Sequence, residues 1–223
     1  SRIGVRDGGF LWRRGRSIPS AMRPILPLLL LALAAPAHAT EPATDPAIGR
    51  VNMGGMRDRT ACTGALVAPG LVLTAAHCLT RPTGAGPLHF VAGWDRGTHA
   101  GHHEGALALR GKAPGVAGDV ALMAIAPRSD LAPLALAPVT DGPFTVTGYR
   151  RSQPHLQDTL TCPMLDRAGA LILLSCDGEP GLSGAPVRDA AGRIVAVLSA
   201  GTTDGHAVAV IPGAELRAAI DAR

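Results

Sequence analysis

The sequence predicts an all-β fold, a barrel or a sandwich, and three observations predict it. Short apolar runs recur through residues 48–211, each bounded by Gly, Pro, Asp or Thr. Their spacing is regular and short, as in sheets built from many small strands. Only one stretch, at the C-terminus, has a helical pattern. Because Ala is so common, the contrast between alternate residues is blurred, so periodicity alone does not separate barrel from sandwich. The expected strands, in order, are Thr63–Val67, Leu71–Thr74, Leu88–Ala92, Ala106–Arg110 and Val120–Ile125, then Phe144–Tyr149, Ala170–Ser175, Ile194–Ser199 and Ala207–Ile211. The Pro-rich, Ala-Leu stretch Arg128–Pro138 is the expected connector between two halves. The expected helix follows Pro212-Gly213, where Leu216 and Ile220 are four residues apart and share one face.

Residues upstream of this region belong to a different category. Residues 22–39, MRPILPLLLLALAAPAHA, have a basic start, an apolar centre and small residues at the two cleavage positions, the plan of a secretory signal peptide. The apolar run is shorter than the roughly 20 residues a membrane anchor needs. Residues 1–21 precede Met22, are rich in Arg and Gly, and are read as an upstream extension of mis-assigned start. The expected working chain starts near Thr40 and keeps 184 of the 223 residues.

Charge and cysteine content narrow the class. The whole sequence is formally +4, but six of its 21 basic and one of its 17 acidic residues precede Thr40, which leaves 15 against 16 and a net charge of −1. No basic stripe for nucleic acid remains. The four cysteines, Cys62, Cys78, Cys162 and Cys176, allow three pairings in an exported chain, and their spacing favours Cys62–Cys78 and Cys162–Cys176. Each such pair closes a loop of about 15 residues and contributes about 3 kcal/mol in the chain-entropy picture. A zinc site is the weaker alternative, since there is no close Cys-x-x-Cys pair. His99, His102, His103 and Glu104 could also supply metal ligands, but a solvated Gly/His loop is the expected state of Thr98–Glu104. No metal and no cofactor is expected. Phe90, Trp94, Phe144 and Tyr149 are expected in the core.

Three strings carry chemistry. The first is Cys62-Thr63-Gly64-Ala65-Leu66-Val67 followed by Leu71-Val72-Leu73-Thr74-Ala75-Ala76-His77-Cys78. It sets a histidine beside a cysteine after an apolar strand, and a bridge to Cys62 would pin the turn that holds a general base. The second is Gly118-Asp119-Val120-Ala121-Leu122-Met123, where Asp119 is either a turn residue or a buried carboxylate that orients the histidine. The third is Gly178-Glu179-Pro180-Gly181-Leu182-Ser183-Gly184-Ala185-Pro186. A serine between glycines sits on a tight turn with its hydroxyl exposed, and the N–H groups of Gly181 and Ser183 can face a developing oxyanion. Ala185 in the last position separates this string from the Gly-x-Ser-x-Gly elbow.

Taken together, Thr-Ala-Ala-His-Cys, Asp-Val-Ala-Leu and Gly-Leu-Ser-Gly-Ala-Pro, in the order His, Asp, Ser, resemble those of trypsin-like serine proteases. The resemblance runs from about Ile48 to the C-terminal helix. It implies two antiparallel six-stranded β-barrels with the site between them, residues 40–130 forming the first and residues 131–223 the second with its helix. It implies His77, Asp119 and Ser183 as a catalytic triad, and a protein or peptide as substrate. Asp177 matches the position at the floor of the primary pocket of members that cleave after Arg or Lys. Ser199 and Gly201 are also expected to bind substrate, with Gly201 matching the glycine that keeps the pocket mouth open. Leu198 replaces the histidine of glutamyl endopeptidases. Leu182 replaces the Asp that pairs with a newly cut N-terminus in zymogen members, no Ile-Val-Gly-Gly start lies near Ile48, and the disulfide beside the primary pocket is missing. The likeness is therefore to the exported bacterial branch, periplasmic or extracellular, with no lasting membrane anchor and a monomeric state expected. Two competing readings keep the scaffold: a non-catalytic binding module, for which Leu182 is the argument, and an esterase using the same three residues.

Overall fold

The computed structural model describes residues 44–59, 62–80, 85–127 and 130–223. The expected signal peptide and upstream extension lie outside them. Strands β1 (Ile48–Asn52), β2 (Cys62–Ala68), β3 (Leu71–Thr74), β4 (Leu88–Ala92), β5 (Gly101–Arg110) and β6 (Ala121–Ile125) form a closed antiparallel barrel in the order β1-β2-β3-β6-β5-β4. Closure comes from β1, which pairs with β2 through Ile48–Val51 and with β4 through Gly49–Asn52. Closure removes the free edges that a flat sheet would expose.

The second half contains β7 (Phe144–Gly148), β8 (Asp158–Cys162), β9 (Met164–Ala168), β10 (Leu171–Leu174), β11 (Pro186–Arg188), β12 (Ile194–Gly201) and β13 (Ala207–Val210). They form a curled seven-stranded sheet in the order β8-β7-β11-β12-β13-β10-β9. Its two edge strands, β8 and β9, are consecutive in the chain and separated by Pro163 alone. Pro163 has no N–H for a ladder, so pairing changes partner there, from β7 before it to β10 after it. The expected sixth strand is thus present, broken in the middle, and the fold is the chymotrypsin-like one that the resemblance implies. The C-terminal helix α1 (Ala214–Asp221) follows β13 and buries Leu216 and Ile220.

Burial follows this two-barrel plan. One apolar cluster fills the first barrel, with Leu66, Val72, Phe90 and Met123 at its centre. A second fills the other half, around Phe144, Ile172, Leu182 and Leu198. A third lies between the halves, where Ile48, Trp94 and Leu122 meet Tyr149, Val197 and Val210 and the buried face of α1. All four expected core aromatics are buried, Phe90 and Phe144 completely. Among its described residues, the connector after β6 forms no long strand; it bridges to the second sheet at Leu136–Ile194 and packs Leu134, Leu136 and Ala137 against the apolar clusters.

One expectation is corrected. The stretch around His102 and His103 is not a solvated loop but the start of β5, paired with β4 from Leu88 to Ala92. Alternation puts His103 inside, 7% exposed, and His102 outside, where its Nε2 lies 3.0 Å from His89 Nδ1. The glycines and histidines hid a strand whose signal is the pairing partner, not its own composition.

Candidate active site

The candidate site is built where the two halves meet. β3 ends at Thr74, and a short 3-10 turn, Ala76–Leu79, then carries His77. The Cys62–Cys78 disulfide ties this turn to the start of β2. Asp119 follows another 3-10 turn, Gly115–Gly118, and lies two residues before the start of β6. Ser183 sits in the turn before β11, and Ser199 lies on β12.

Asp119 is the hub. His77 Nδ1 lies 2.7 Å from Asp119 Oδ2, and the His77 backbone N–H donates to Oδ1 at 2.8 Å. The Ser199 hydroxyl donates to Oδ2 at 2.5 Å. Burial alone would raise the Asp119 pKa, but the bonds from His77 and Ser199 overcome it and lower the value to about 2. An ionised carboxylate at this position favours the His77 tautomer that carries its proton on Nδ1. The Ser199 hydroxyl is committed to Asp119, a role for which its sequence neighbourhood holds no signal.

Ser183 is brought to the same cleft as His77, together with the Cys62–Cys78 bridge and Gly181. In this conformation its hydroxyl donates to the Ser199 carbonyl at 3.2 Å. Among the described residues, no oxygen accepts from the backbone N–H of Gly181 or Ser183. The turn that presents them requires glycine at two points. Gly181 has φ of 100° and Gly184 has φ of 85°, in the left-handed region. A Cβ on Gly181 would lie 2.3 Å from the Tyr149 carbonyl oxygen, and one on Gly184 would lie 2.0 Å from that of Thr63.

Thr63, fully buried on β2, braces this turn from the other barrel. Its hydroxyl donates to the Gly181 carbonyl at 2.9 Å and accepts from the Tyr149 N–H at 3.0 Å. Its own N–H donates to the Ser183 carbonyl at 2.8 Å. Leu182, between Gly181 and Ser183, is fully buried in the second core. An apolar anchor therefore occupies the position at which zymogen members form an ion pair.

Asp177 is exposed, and neither it nor Gly201 lines the cleft that holds Ser183. Gly178 and Gly201 stand back to back: a Cβ on Gly178 would lie 2.5 Å from Gly201 Cα. Cys162 and Cys176 are joined as expected. Cys62, His77 and Cys78 are close enough to suggest a metal site, but both sulfurs are in the disulfide and are not thiolate donors.

Comparison with known proteins agrees with this architecture. A glutamyl endopeptidase structure superposes with a TM-score of 0.66 at 19% identity, covering 81% of this chain and 91% of that one. A thermostable serine protease, AL20, from an extremophilic microorganism gives 0.65 at 18% identity, covering 81% and 98%. The active form of the Rv3671c protease from M. tuberculosis gives 0.57 at 21% identity, covering 81% of each chain. No curated protein sequence is similar enough to count as a match. The family model described as the trypsin-like peptidase domain matches residues 62–197, the span that runs from the first cysteine through His77, Asp119 and Ser183 into β12. The chain belongs to the trypsin-like peptidase family and is a serine-type endopeptidase.

Proposed function

We propose that this chain is an exported endopeptidase that cleaves peptide bonds through an acyl-enzyme, with Ser183 as nucleophile, His77 as general base and acid, and Asp119 as the group that orients His77. The observation that carries the reading is the Asp119 hub, which holds His77 Nδ1 at 2.7 Å while Ser183 shares the cleft with His77. Rotation of the Ser183 hydroxyl from the Ser199 carbonyl toward His77 Nε2 starts the reaction; such bonds are commonly long or misaligned before substrate binds. His77 takes the proton as Oγ attacks the carbonyl carbon. The N–H groups of Gly181 and Ser183 receive the oxyanion. His77 then protonates the leaving amine, and water repeats the sequence on the ester to free the enzyme.

Two disulfides support a compartment outside the reducing cytosol. Among the described residues, no helix is long and apolar enough to cross a membrane. On the acyl side of the substrate, Asp177 is the residue through which Arg or Lys would be recognised, and this requires Gly178 and Gly201 to separate. The test is intact mass after treatment with a fluorophosphonate probe. One adduct mapped to Ser183, absent after denaturation and in Ser183→Ala, is expected. Full peptidase activity in Ser183→Ala would refute the mechanism. A folded wild-type protein that takes no adduct would favour the binding module.

A further inference from the structure

The cleft that holds Ser183 and His77 has a volume of about 310 Å³, and its lining is strongly cationic. Among the described residues, Arg50, Arg59, Arg150 and Arg151 line it, against one carboxylate, Asp58. Arg50 is the unusual member. It lies on β1 between the two halves, is 0% exposed, and none of its three guanidinium nitrogens has a hydrogen-bond partner. Its visible compensation is the face of Trp94, 5.1 Å from the guanidinium carbon, and the nearby charge of Asp58. A buried guanidinium with unmet donors is costly, because both its charge and its N–H groups have left water. Arg150 is committed elsewhere, to Asp158 and Glu179. Arg59 and Arg151 are exposed, and among the described residues neither has an ion-pair partner.

Resting on the proposed peptidase reading, we propose that this cleft holds the leaving-group side of the substrate and selects a carboxylate there, either an Asp or Glu side chain or a peptide C-terminus. The cleft is bounded by His77, which must protonate the leaving amine, and by the Cys62–Cys78 bridge. Ser199 and Gly201, the edge that the resemblance assigns to the acyl side, do not line it. Arg151 and Arg59 offer direct donors at the rim. Arg50 supplies a positive charge beneath the floor whose N–H groups have no acceptor, and low polarity makes that charge felt over several ångströms. A basic residue in the same place would meet these arginines and be rejected.

The experiment uses the full chain carrying Ser183→Ala and measures binding of short peptides by calorimetry, so that it does not depend on turnover. Amidated peptides carry Glu, Gln or Lys just after the bond to be cut; a further pair ends there in Ala, as free acid or as amide. The Glu peptide is expected to bind about tenfold or more tightly than the Gln peptide, with Lys weakest, as for one gained charge-assisted contact. The preference is expected to shrink with added salt and to fall toward unity in Arg59→Gln/Arg151→Gln and in Arg50→Met. The rim variant and the salt series carry the test if Arg50→Met does not fold. Arg167→Gln, on β9, is the control and keeps the preference. A free-acid Ala peptide that matches the Glu peptide identifies the chain terminus as the source of the carboxylate. Equal binding of Glu and Gln, a preference for Lys, or no binding by any peptide overturns the proposal. Fluorophosphonate labelling of the wild type separates the two readings: a Glu preference without labelling retains the carboxylate site and rejects the peptidase mechanism, and labelling without a preference does the reverse.

Discussion

Replacing Thr63 by Val tests whether the first barrel positions the Ser183 turn. The two side chains have the same shape, so no cavity opens, and only the hydroxyl is lost. That hydroxyl serves two groups, the Gly181 carbonyl at 2.9 Å and the Tyr149 N–H at 3.0 Å. An unsatisfied buried backbone group costs about 1–3 kcal/mol, and the Gly181 side is only partly buried, so the variant should lose about 2–4 kcal/mol. Equilibrium urea unfolding should show an earlier midpoint with an unchanged slope. The activity loss should be separate and larger than unfolding explains. Gly181 loses the bond that sets its peptide plane, and a misplaced oxyanion donor costs up to about 10²–10³ in kcat. A fall of about 10–100-fold in kcat/KM is expected at temperatures where the variant is fully folded. Thr63→Ser keeps the hydroxyl and should retain activity while losing about 1 kcal/mol for the missing methyl. A Thr63→Val protein with the wild-type midpoint and wild-type kcat/KM would refute the bracing role. A variant that lost stability but kept full kcat/KM would show that the turn holds itself.

Other expectations follow from single contacts. The Asp119 pKa is lowered from 3.8 to about 2, so its stabilising contribution is complete above about pH 4 and is lost as pH falls toward 2. Allowing for solvent at a side chain 19% exposed, Asp119→Asn should remove about 1–2 kcal/mol at pH 7 and almost nothing near pH 2, read by urea midpoints across pH. Turnover should also fall steeply at neutral pH, because an amide can stabilise the wrong tautomer of His77. Gly184→Ala would place a methyl 2.0 Å from the Thr63 carbonyl oxygen at φ of 85°. Backbone strain alone costs about 1–3 kcal/mol, so this variant should melt early and take fluorophosphonate slowly or not at all. Unchanged labelling in Gly184→Ala would mean that the turn can shift without disturbing Ser183.

Much of the architecture was legible because it is written locally. Leu71–Thr74 and Leu88–Ala92 are short apolar runs between turn residues, and both ends of each match the strands β3 and β4. Leu216 and Ile220 share the buried face of α1, as a spacing of four requires. The unread strands have physical reasons. β1 carries a buried Arg and Gly where a core strand normally shows apolar residues. β8 buries only Cys162, β9 buries no residue, and β11 has three residues. Each exists because a partner strand supplies its hydrogen bonds, and pairing is a non-local property.

The sequence by itself determined the residue types and their order: His77 beside a cysteine, Asp119 before an apolar strand, and Ser183 in a glycine-framed turn. Each of these depends on backbone conformation within a few residues, which side-chain size and glycine freedom dictate. Only the tertiary structure decided what those residues meet. Asp119 reaches His77 across 42 positions and Ser199 across 80, and Thr63 reaches Gly181 across 118. Closure of the first barrel brings His77 to Asp119, and docking of the second barrel adds Ser199 and Gly181. Arg50 belongs to the same category: its charge is visible in the sequence, but its burial beneath the cleft, with no hydrogen-bond partner, arises only when the two barrels enclose it.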